Sequence, residues 1–298
     1  MLLTLAVLLL QAAPAAPPAT PKPAPTDAEL KQGAALVAKA VDAFGGAAAV
    51  DAIKALEMKG KGTRRIQQDD LPVTTLTRIY FPDRYYQELV LPMGTMKTVL
   101  SPSAAFLVAG EGSLPLPDAE RQTLRKLLQR NLLAVLRARV EPGFTAAVTG
   151  KDTVNGTAVE LVSVTRQSDA LVLAIDPVTG RVLQSRFESG GGLAPTGQLV
   201  VTYSDYRKAG PITYPFSTVA TMAGRPATSQ TLETIAVNPP LDEALFAPPP
   251  PHAMFPGADD PAPPPNAPPP GAPPAAAPAP EPKPTPTPAP APARPPKD

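Results

Sequence analysis

The sequence predicts an α+β fold: an unclosed antiparallel β half-barrel of about eleven to twelve strands, lidded by about two or three helices and followed by a disordered proline-rich tail. Three observations support this prediction. Proline is concentrated at the two ends of the chain, the segment between them holds a succession of short strand-like runs, and helical spacing occurs in only a few stretches. A sheet of that size has to bury one face, and the few helices are the available cover.

The distribution of proline divides the chain into three segments. The chain has 298 residues and 44 prolines, of which six lie in residues 1–26, fourteen in residues 27–246 and twenty-four in residues 247–298. The middle segment is long enough to bury one sizeable core, whereas the ends are too rich in proline to do so. We therefore expect a folded domain over residues 27–246, preceded by a leader and Pro/Ala linker (1–26) and followed by a tail (247–298).

The first residues are typical of an export signal. Residues 2–10 are apolar except for one threonine, and small residues follow at positions 12–16. This run is far shorter than the roughly 20 residues that cross a bilayer, but it fits a secretory signal peptide with cleavage near Ala15. No Lys or Arg precedes the run, which leaves an uncleaved membrane anchor as the alternative. We expect a periplasmic protein.

From residue 247 onward, Pro-Ala repeats are interspersed with charges of both signs. A segment of this composition buries too little apolar surface to fold and favours extended, solvated polyproline II structure. Two interpretations stay open. The tail is either a spacer or docking segment for a partner or the cell wall, or a low-complexity appendage.

The composition argues against several classes of function. The sequence has no cysteine, and its single histidine, His252, lies in a proline run of the predicted tail. The net charge of +1 gives no reason to expect nucleic acid as a partner. Sequence motifs for serine hydrolases, phosphate-binding loops and zinc proteases are absent. The adjacent carboxylates Asp69 and Asp70 at a likely hairpin tip, and Asp259 and Asp260 in the tail, are expected to be solvated. We predict no catalytic residue, cofactor or metal ion, and no enzymatic activity.

Helical spacing predicts three helices. Residues 28–44 follow Thr26 and Asp27, which suit an N-cap, and end at Gly45-Gly46, and residues 47–54 form a short second helix. Residues 118–140 form a long third helix. Its apolar side carries Leu124, Leu127, Leu128, Leu132, Val135 and Leu136. Its other side is basic, which suits either an anionic membrane surface or packing on the domain with the charges in water, and we favour packing.

Short runs of β-branched and aromatic residues, separated by turn residues, predict about twelve strands. They cover residues 55–66, 73–81, 84–91, 95–100 and 104–108 before the long helix, and 144–149, 157–165, 170–176, 181–187, 198–207, 212–222 and 228–237 after it. Many alternate apolar and polar residues, as Leu199, Val201 and Tyr203 do, so one face of the sheet is apolar and the other faces water. Asn155-Gly156 belongs to a formal glycosylation sequon, but we interpret it as a hairpin turn.

The order of several short motifs resembles the LolA-like superfamily of bacterial outer-membrane lipoprotein-sorting proteins, over residues 28–248. The motifs lie at residues 44–46, 58–62, 148–156, 176–180, 203–207 with 212–216, and 237–242 with 246–248. The resemblance implies an unclosed antiparallel barrel whose concave apolar face is lidded by helices and carries acyl chains or lipidated proteins through the periplasm. The absence of a cysteine for lipidation fits the soluble carriers of that superfamily better than its anchored receptor.

Two hypotheses follow for the function. The first is a periplasmic carrier, expected to be monomeric, that holds lipid or lipoprotein acyl chains and meets a partner protein at the inner or outer membrane. Its groove is expected to be lined by apolar residues of the strands and the lid. The candidates are Leu56, Met58, Ile79, Phe81, Leu89, Leu91, Met96, Leu100, Phe106, Leu128 and Leu132. The second is an envelope scaffold whose concave face is filled by side chains and whose tail binds a partner or the cell wall. An open groove of several hundred Å³ would favour the carrier.

Overall fold

The computed structural model of the chain describes residues 24–66, 68–110, 112–167, 169–191 and 194–247. Nearly all of them belong to the predicted folded domain, residues 27–246. The predicted signal peptide and the tail from residue 248 onward, with His252 and the Asp259–Asp260 pair, lie outside the described residues.

The chain enters the domain through two helices. The first, α1 (Asp27–Phe44), begins at a capping box in which the Thr26 hydroxyl accepts from the Glu29 backbone N–H and the Glu29 carboxylate accepts from the Thr26 backbone N–H. The second, α2 (Ala47–Ala52), is a single short segment. Both positions agree with the sequence prediction.

Thirteen strands of the described residues form one antiparallel sheet, which confirms the predicted fold class. They are β1 (Ala55–Ile66), β2 (Asp69–Tyr80), β3 (Arg84–Leu91), β4 (Gly94–Leu100), β5 (Ala105–Ala109), β6 (Gly112–Pro115), β7 (Thr145–Val154), β8 (Thr157–Arg166), β9 (Asp169–Ile175), β10 (Val182–Gly191), β11 (Ala194–Ala209), β12 (Ile212–Met222) and β13 (Arg225–Val237). The sequence did not predict β6, because its glycine, serine and proline are typical of a turn. Pro115 is tolerated there because β6 is an edge strand.

The order of the strands explains how one face of the sheet becomes covered. The sheet runs β6-β5-β4-β3-β2-β1-β13-β12-β11-β10-β9-β8-β7, so its two edges are β6 and β7, which are consecutive along the chain. The segment between them has to cross from one edge of the sheet to the other. Residues 116–144 make that crossing, and their helices lie over the same face as α1.

The crossing is not the single helix that spacing predicts. Helix α3 (Asp118–Gln129) ends, α4 (Leu132–Arg137) begins again after two residues, and a 3-10 turn follows at Ala138–Val140. The break is made by Asn131, whose side-chain oxygen accepts from the Leu133 backbone N–H at 3.0 Å and so caps a new helix. The prediction was wrong here because it followed the spacing of apolar residues and ignored an asparagine in mid-helix.

One half of the covered face is filled by side chains. Five consecutive residues of α4 are buried, and Leu133 and Leu136 are fully so. The ring of Phe44 packs edge-to-face on Tyr206 and Tyr214, with centroids 6.2 and 6.0 Å apart. This packed half holds α1 and α4 in place and leaves α3 over the other half.

The opposite face of the sheet has a smaller core of its own. Tyr80, Tyr86, Val99 and Phe106 form it together with Phe246 from a 3-10 turn at Glu243–Phe246. The end of the described chain is thereby fixed to the outer face of the sheet, away from the helices.

The turn between β9 and β10 is held by a buried carboxylate. Asp176 is 8% exposed, and its carboxylate accepts from the Val178 backbone N–H at 2.8 Å and from the Thr179 hydroxyl. Burial raises the pKa of Asp176, but the hydrogen bonds from Thr179 and Val178 outweigh it, so that the pKa lies below the ordinary value of 3.8.

We expect Asp176→Asn to lower the free energy of unfolding at neutral pH by about 1 kcal/mol or more, because the charge-assisted hydrogen bonds are lost. A depressed folded pKa stabilises the fold above the unfolded pKa, and this contribution disappears as the pH falls through the folded pKa. The difference between wild type and variant in urea unfolding should therefore shrink below about pH 4. A difference that is constant from neutral to acid pH would contradict this account.

Candidate functional site

A cavity of about 280 Å³ lies between α3 and the sheet, on the half of the covered face that side chains do not fill. Strands from both halves of the chain contribute to it: β1, β2 and β3 on one side, and β10 to β13 on the other. It exists because the crossing segment is broken at Asn131, so that α4 packs into the core and α3 lies above the sheet.

The roof of the cavity is apolar. Leu124, Leu127 and Leu128 of α3 lie on its wall at helical spacing, and Leu132 at the start of α4 continues the row. Leu127 is 41% exposed to solvent, so the cavity reaches the surface beside this helix.

The floor is apolar over most of its area. Met58 and Ile79 line it from β1 and β2, and Leu199, Val201 and Leu232 from β11 and β13. These residues share one face because side chains alternate along each strand and the strand register brings the same phase together. Methionine and branched aliphatic side chains of this kind bind alkyl chains without directional contacts.

Three tyrosines contribute to the cavity wall, and all are held neutral. Burial is the leading cause that raises the pKa of Tyr85, of Tyr203 and of Tyr214 above the ordinary value of 10.0. The Tyr203 hydroxyl lies 2.8 Å from the Ser185 hydroxyl, and the Asn131 amide donates to the Tyr214 hydroxyl at 3.4 Å. These phenols carry no charge near neutral pH.

The charged side chain of Arg130 also lines the cavity, but its charge is already paired. Its Nε donates to Asp169 Oδ2 at 2.8 Å, and its Nη1 donates to the Glu188 backbone carbonyl at 2.7 Å. The guanidinium lies 4.6 Å from the ring centroid of Phe187. Arg130 therefore ties the end of α3 to β9 and β10 at the wall of the cavity.

The structure brings together some of the residues that the sequence analysis selected. Four of them, Met58, Ile79, Leu128 and Leu132, lie on the cavity wall. Leu56 and Leu100 are fully buried in the packed core, and Phe81 packs at its margin, where the Arg137 guanidinium lies 5.0 Å from its ring centroid.

The remaining four selected residues lie apart from the cavity. Leu89, Leu91 and Met96 face the same side of the sheet by register but form a separate cluster with Val73. Phe106 faces the opposite side and packs in the cluster that contains Phe246. The prediction placed Phe106 on the wrong face of the sheet, because Ala105 and Leu107, and not Phe106, share the face of Leu100.

The contribution of β10 to β13 to the cavity was not predicted from the sequence. The alternation of Leu199, Val201 and Tyr203 was visible and marked one apolar face, but nothing in the sequence placed that face opposite Met58. Pairing of β1 with β13 does so, and that contact joins residues more than 170 positions apart, as in Met58 with Ile235.

Other candidate chemistry is sparse in the described part of the chain. Asp70 accepts two hydrogen bonds from Arg65, which is the leading cause that lowers its pKa, and both side chains are well exposed. Asp69 and Asp70 begin β2 directly after the hairpin tip. Within the described ranges there is no cluster of three or more metal-binding side chains, and no helix is both long and apolar enough to span a membrane.

No family model and no curated protein matches the chain. Among solved structures, the chain is similar to a DUF1329 family protein from Desulfovibrio piger, with a TM-score of 0.48 and 11% identity over 74% of this chain and 97% of that one. It is also similar to an outer membrane lipoprotein-sorting protein domain from Vibrio parahaemolyticus (TM-score 0.45, 9% identity, 73% and 97% covered) and to a LolA superfamily protein from Nitrosomonas europaea (0.39, 11%, 72% and 97%). At these identities and TM-scores the likeness carries no conclusion about this chain. The architecture that the sequence motifs predict, an unclosed antiparallel sheet with helices over one face, is observed in the described residues.

Proposed function

We propose that this protein is a periplasmic carrier that binds an acyl chain of a lipid or lipoprotein in the cavity under α3 and moves it toward the outer membrane. The observation that carries the proposal is an apolar cavity of about 280 Å³ that opens beside an exposed leucine of its own roof, Leu127. The apolar run at residues 2–10 supports export. The proposed activity is binding, which requires no cofactor.

The size of the cavity sets what it can hold. If a methylene group takes up about as much room as a water molecule, roughly 30 Å³ in the liquid, 280 Å³ accommodates on the order of ten methylenes. Each buried methylene contributes about 0.8 kcal/mol, so the segment contributes about 8 kcal/mol before the costs of association and ordering. That favours part of one acyl chain as the ligand, at micromolar affinity or weaker.

The scaffold hypothesis requires the covered face to be filled throughout. Side chains of α1 and α4 fill one half of it, whereas the half under α3 retains the cavity. An empty apolar cavity forfeits dispersion contacts, so leaving one open lowers stability unless a ligand occupies it. This observation supports the carrier over the scaffold.

Native mass spectrometry of the full chain, purified from the periplasm without detergent, tests the proposal together with extraction and analysis of bound lipid. We expect an acyl-containing species at near-stoichiometric occupancy. A clean unliganded mass, with no uptake of added fluorescent fatty acid or lipopeptide, would refute the carrier function. Gel filtration of the same sample tests the expected monomer.

A further inference from the structure

The wall of the cavity includes a band of neutral polar side chains that an alkyl chain does not need. Thr77 of β2, Gln87 of β3, Thr218 of β12 and Gln230 of β13 all belong to it. They occupy the same face of the sheet as Met58, where aliphatic residues would serve an alkyl chain better. Thr77 is buried, and Gln87, Thr218 and Gln230 are half-buried. A ligand in the cavity would cover their polar atoms from water, and covering a polar atom without a hydrogen bond costs free energy, so the band favours a ligand that forms hydrogen bonds with it.

Two glutamines of this band are held in place because the side-chain NH2 group of each donates a hydrogen bond to a threonine hydroxyl. Gln230 Nε2 donates to Thr75 Oγ1 at 2.7 Å, and Gln87 Nε2 donates to Thr77 Oγ1 at 3.4 Å. Thr75 Oγ1 donates in turn to the Gly60 carbonyl at 3.3 Å. The side-chain carbonyl oxygen, Oε1, of each glutamine has no hydrogen-bond partner among the residues that the structure describes. This oxygen is therefore available to a ligand.

The charges around the cavity disfavour an anionic ligand. Arg130 is the charged residue on the described wall, and its guanidinium is committed to Asp169 and to the Glu188 carbonyl. Arg64 faces the same side of the sheet further along β1, and its charge acts on Tyr85 of the wall, but Arg64 itself is not part of the wall. A free carboxylate held between the wall residues would lose its hydration without direct contact with an unpaired cation.

We infer that the cavity recognises an acyl chain through a neutral group that both donates and accepts hydrogen bonds, an N-acyl carboxamide, held by Gln87 and Gln230. This inference rests on the proposed function and deepens it. The aliphatic wall takes the alkyl part of the chain, and the polar band takes the amide. The same band discriminates against a plain alkane, which leaves the glutamines unpaired, and against a free fatty acid, which has to bury a charge.

Competitive displacement of a fluorescent acyl reporter from the delipidated full chain measures this preference directly. The three competitors are dodecane, dodecanoic acid and N-methyldodecanamide, titrated at neutral pH. We expect the amide to displace the reporter at a concentration about tenfold lower than either of the others, which is about 1.4 kcal/mol. The comparison within the wild type needs no variant and cannot be confused with misfolding.

Gln87→Leu and Gln230→Leu then test whether these residues are the source of the preference. Both variants should bind the amide and dodecane with nearly equal affinity. Gln184→Leu is the matched control, because Gln184 also donates to a threonine, Thr202, at 2.9 Å but lies outside the cavity wall. It should retain the tenfold preference.

The outcomes separate the inference from the proposed function. Three results would overturn the inference and still leave a carrier of acyl chains. They are equal displacement by all three competitors, tighter binding of dodecanoic acid than of the amide, and a preference for the amide that survives in both glutamine variants. Failure of the reporter and of every competitor to bind would overturn the proposed function, and the inference with it.

Discussion

Replacing Ala220 by tryptophan is expected to abolish acyl-chain binding and leave the fold intact. Ala220 lies on the cavity wall in β12, beside Val201 of β11 by register. An indole at this position fills much of the 280 Å³ with protein atoms and removes the volume that an alkyl chain would occupy. Filling a cavity without strain commonly stabilises a domain by about 0.5–2 kcal/mol, so the variant should unfold at the same temperature or higher. Native mass spectrometry should show the unliganded mass.

Val219→Trp is the control for this experiment. Val219 is the neighbouring residue of the same strand, faces the other side of the sheet and is 46% exposed. It introduces the same side chain into the same strand without entering the cavity, and we expect wild-type lipid occupancy. Occupancy that persists in Ala220→Trp at the wild-type level would place the ligand elsewhere, and loss in both variants would point to a defect of β12 in general.

Most of the fold could be predicted because it depends on local signals. The strands β1, β3 and β12 have the bounds that the sequence indicates, since each is flanked by strong turn residues. Asn155 and Gly156 form the predicted hairpin turn, with φ angles of 48° and 81° that suit an Asn-Gly pair. The long helix was predicted wrongly because the spacing of its apolar residues was followed and a local signal against it, the helix-capping Asn131, was ignored. At the break, Arg130 donates to Asp169 of β9.

The cavity could be predicted only in part. Met58, Ile79, Leu128 and Leu132 were within reach of a sequence argument because apolar phase along a strand or helix selects them. Apolar alternation does not distinguish a side chain of the packed core from one that lines a cavity. Leu56 and Leu100 were therefore selected as well, although both are fully buried in the packed core. The polar band could not be predicted. In the sequence, Gln87 and Gln230 are ordinary polar residues of two alternating strands, β3 and β13, and only the pairing of β1 with β13 brings these strands into one sheet around the cavity.

Gly62→Ala is expected to be the most destabilising small substitution in the sheet. A Cβ at Gly62 would lie 1.9 Å from the Ser229 carbonyl oxygen and 2.9 Å from the Gln230 Cα, both backbone atoms of β13 that cannot move independently. At Gly60 the corresponding distance to the Thr231 carbonyl oxygen is 2.5 Å, next to a register shift between β1 and β13. These two glycines let the strands approach closely where the two halves of the sheet join.

Two opposing effects determine the magnitude. Alanine restricts the unfolded chain more than glycine does, which favours the variant by about 0.5–1 kcal/mol. Overpacking against backbone costs about 1–3 kcal/mol, and the approach of 1.9 Å to the Ser229 carbonyl oxygen places Gly62 at the upper end of that range. We therefore expect a net loss of about 2 kcal/mol in the free energy of unfolding by urea. Because Gln230 follows Ser229 directly, the displaced strand should also weaken binding of an acyl amide.

Lys61→Ala provides the comparison within the same strand. Lys61 faces the other side of β1, its side chain is 70% exposed, and its ion pair with Glu233 at 2.9 Å is solvated. Such pairs contribute at most about 1 kcal/mol, so this variant should stay within that range of the wild type. If Gly62→Ala unfolds at the same urea concentration as Lys61→Ala, β1 and β13 are not in the close contact described. The junction of these two strands, which places Met58 and Gln230 on the wall of one cavity, would then be looser than its register implies.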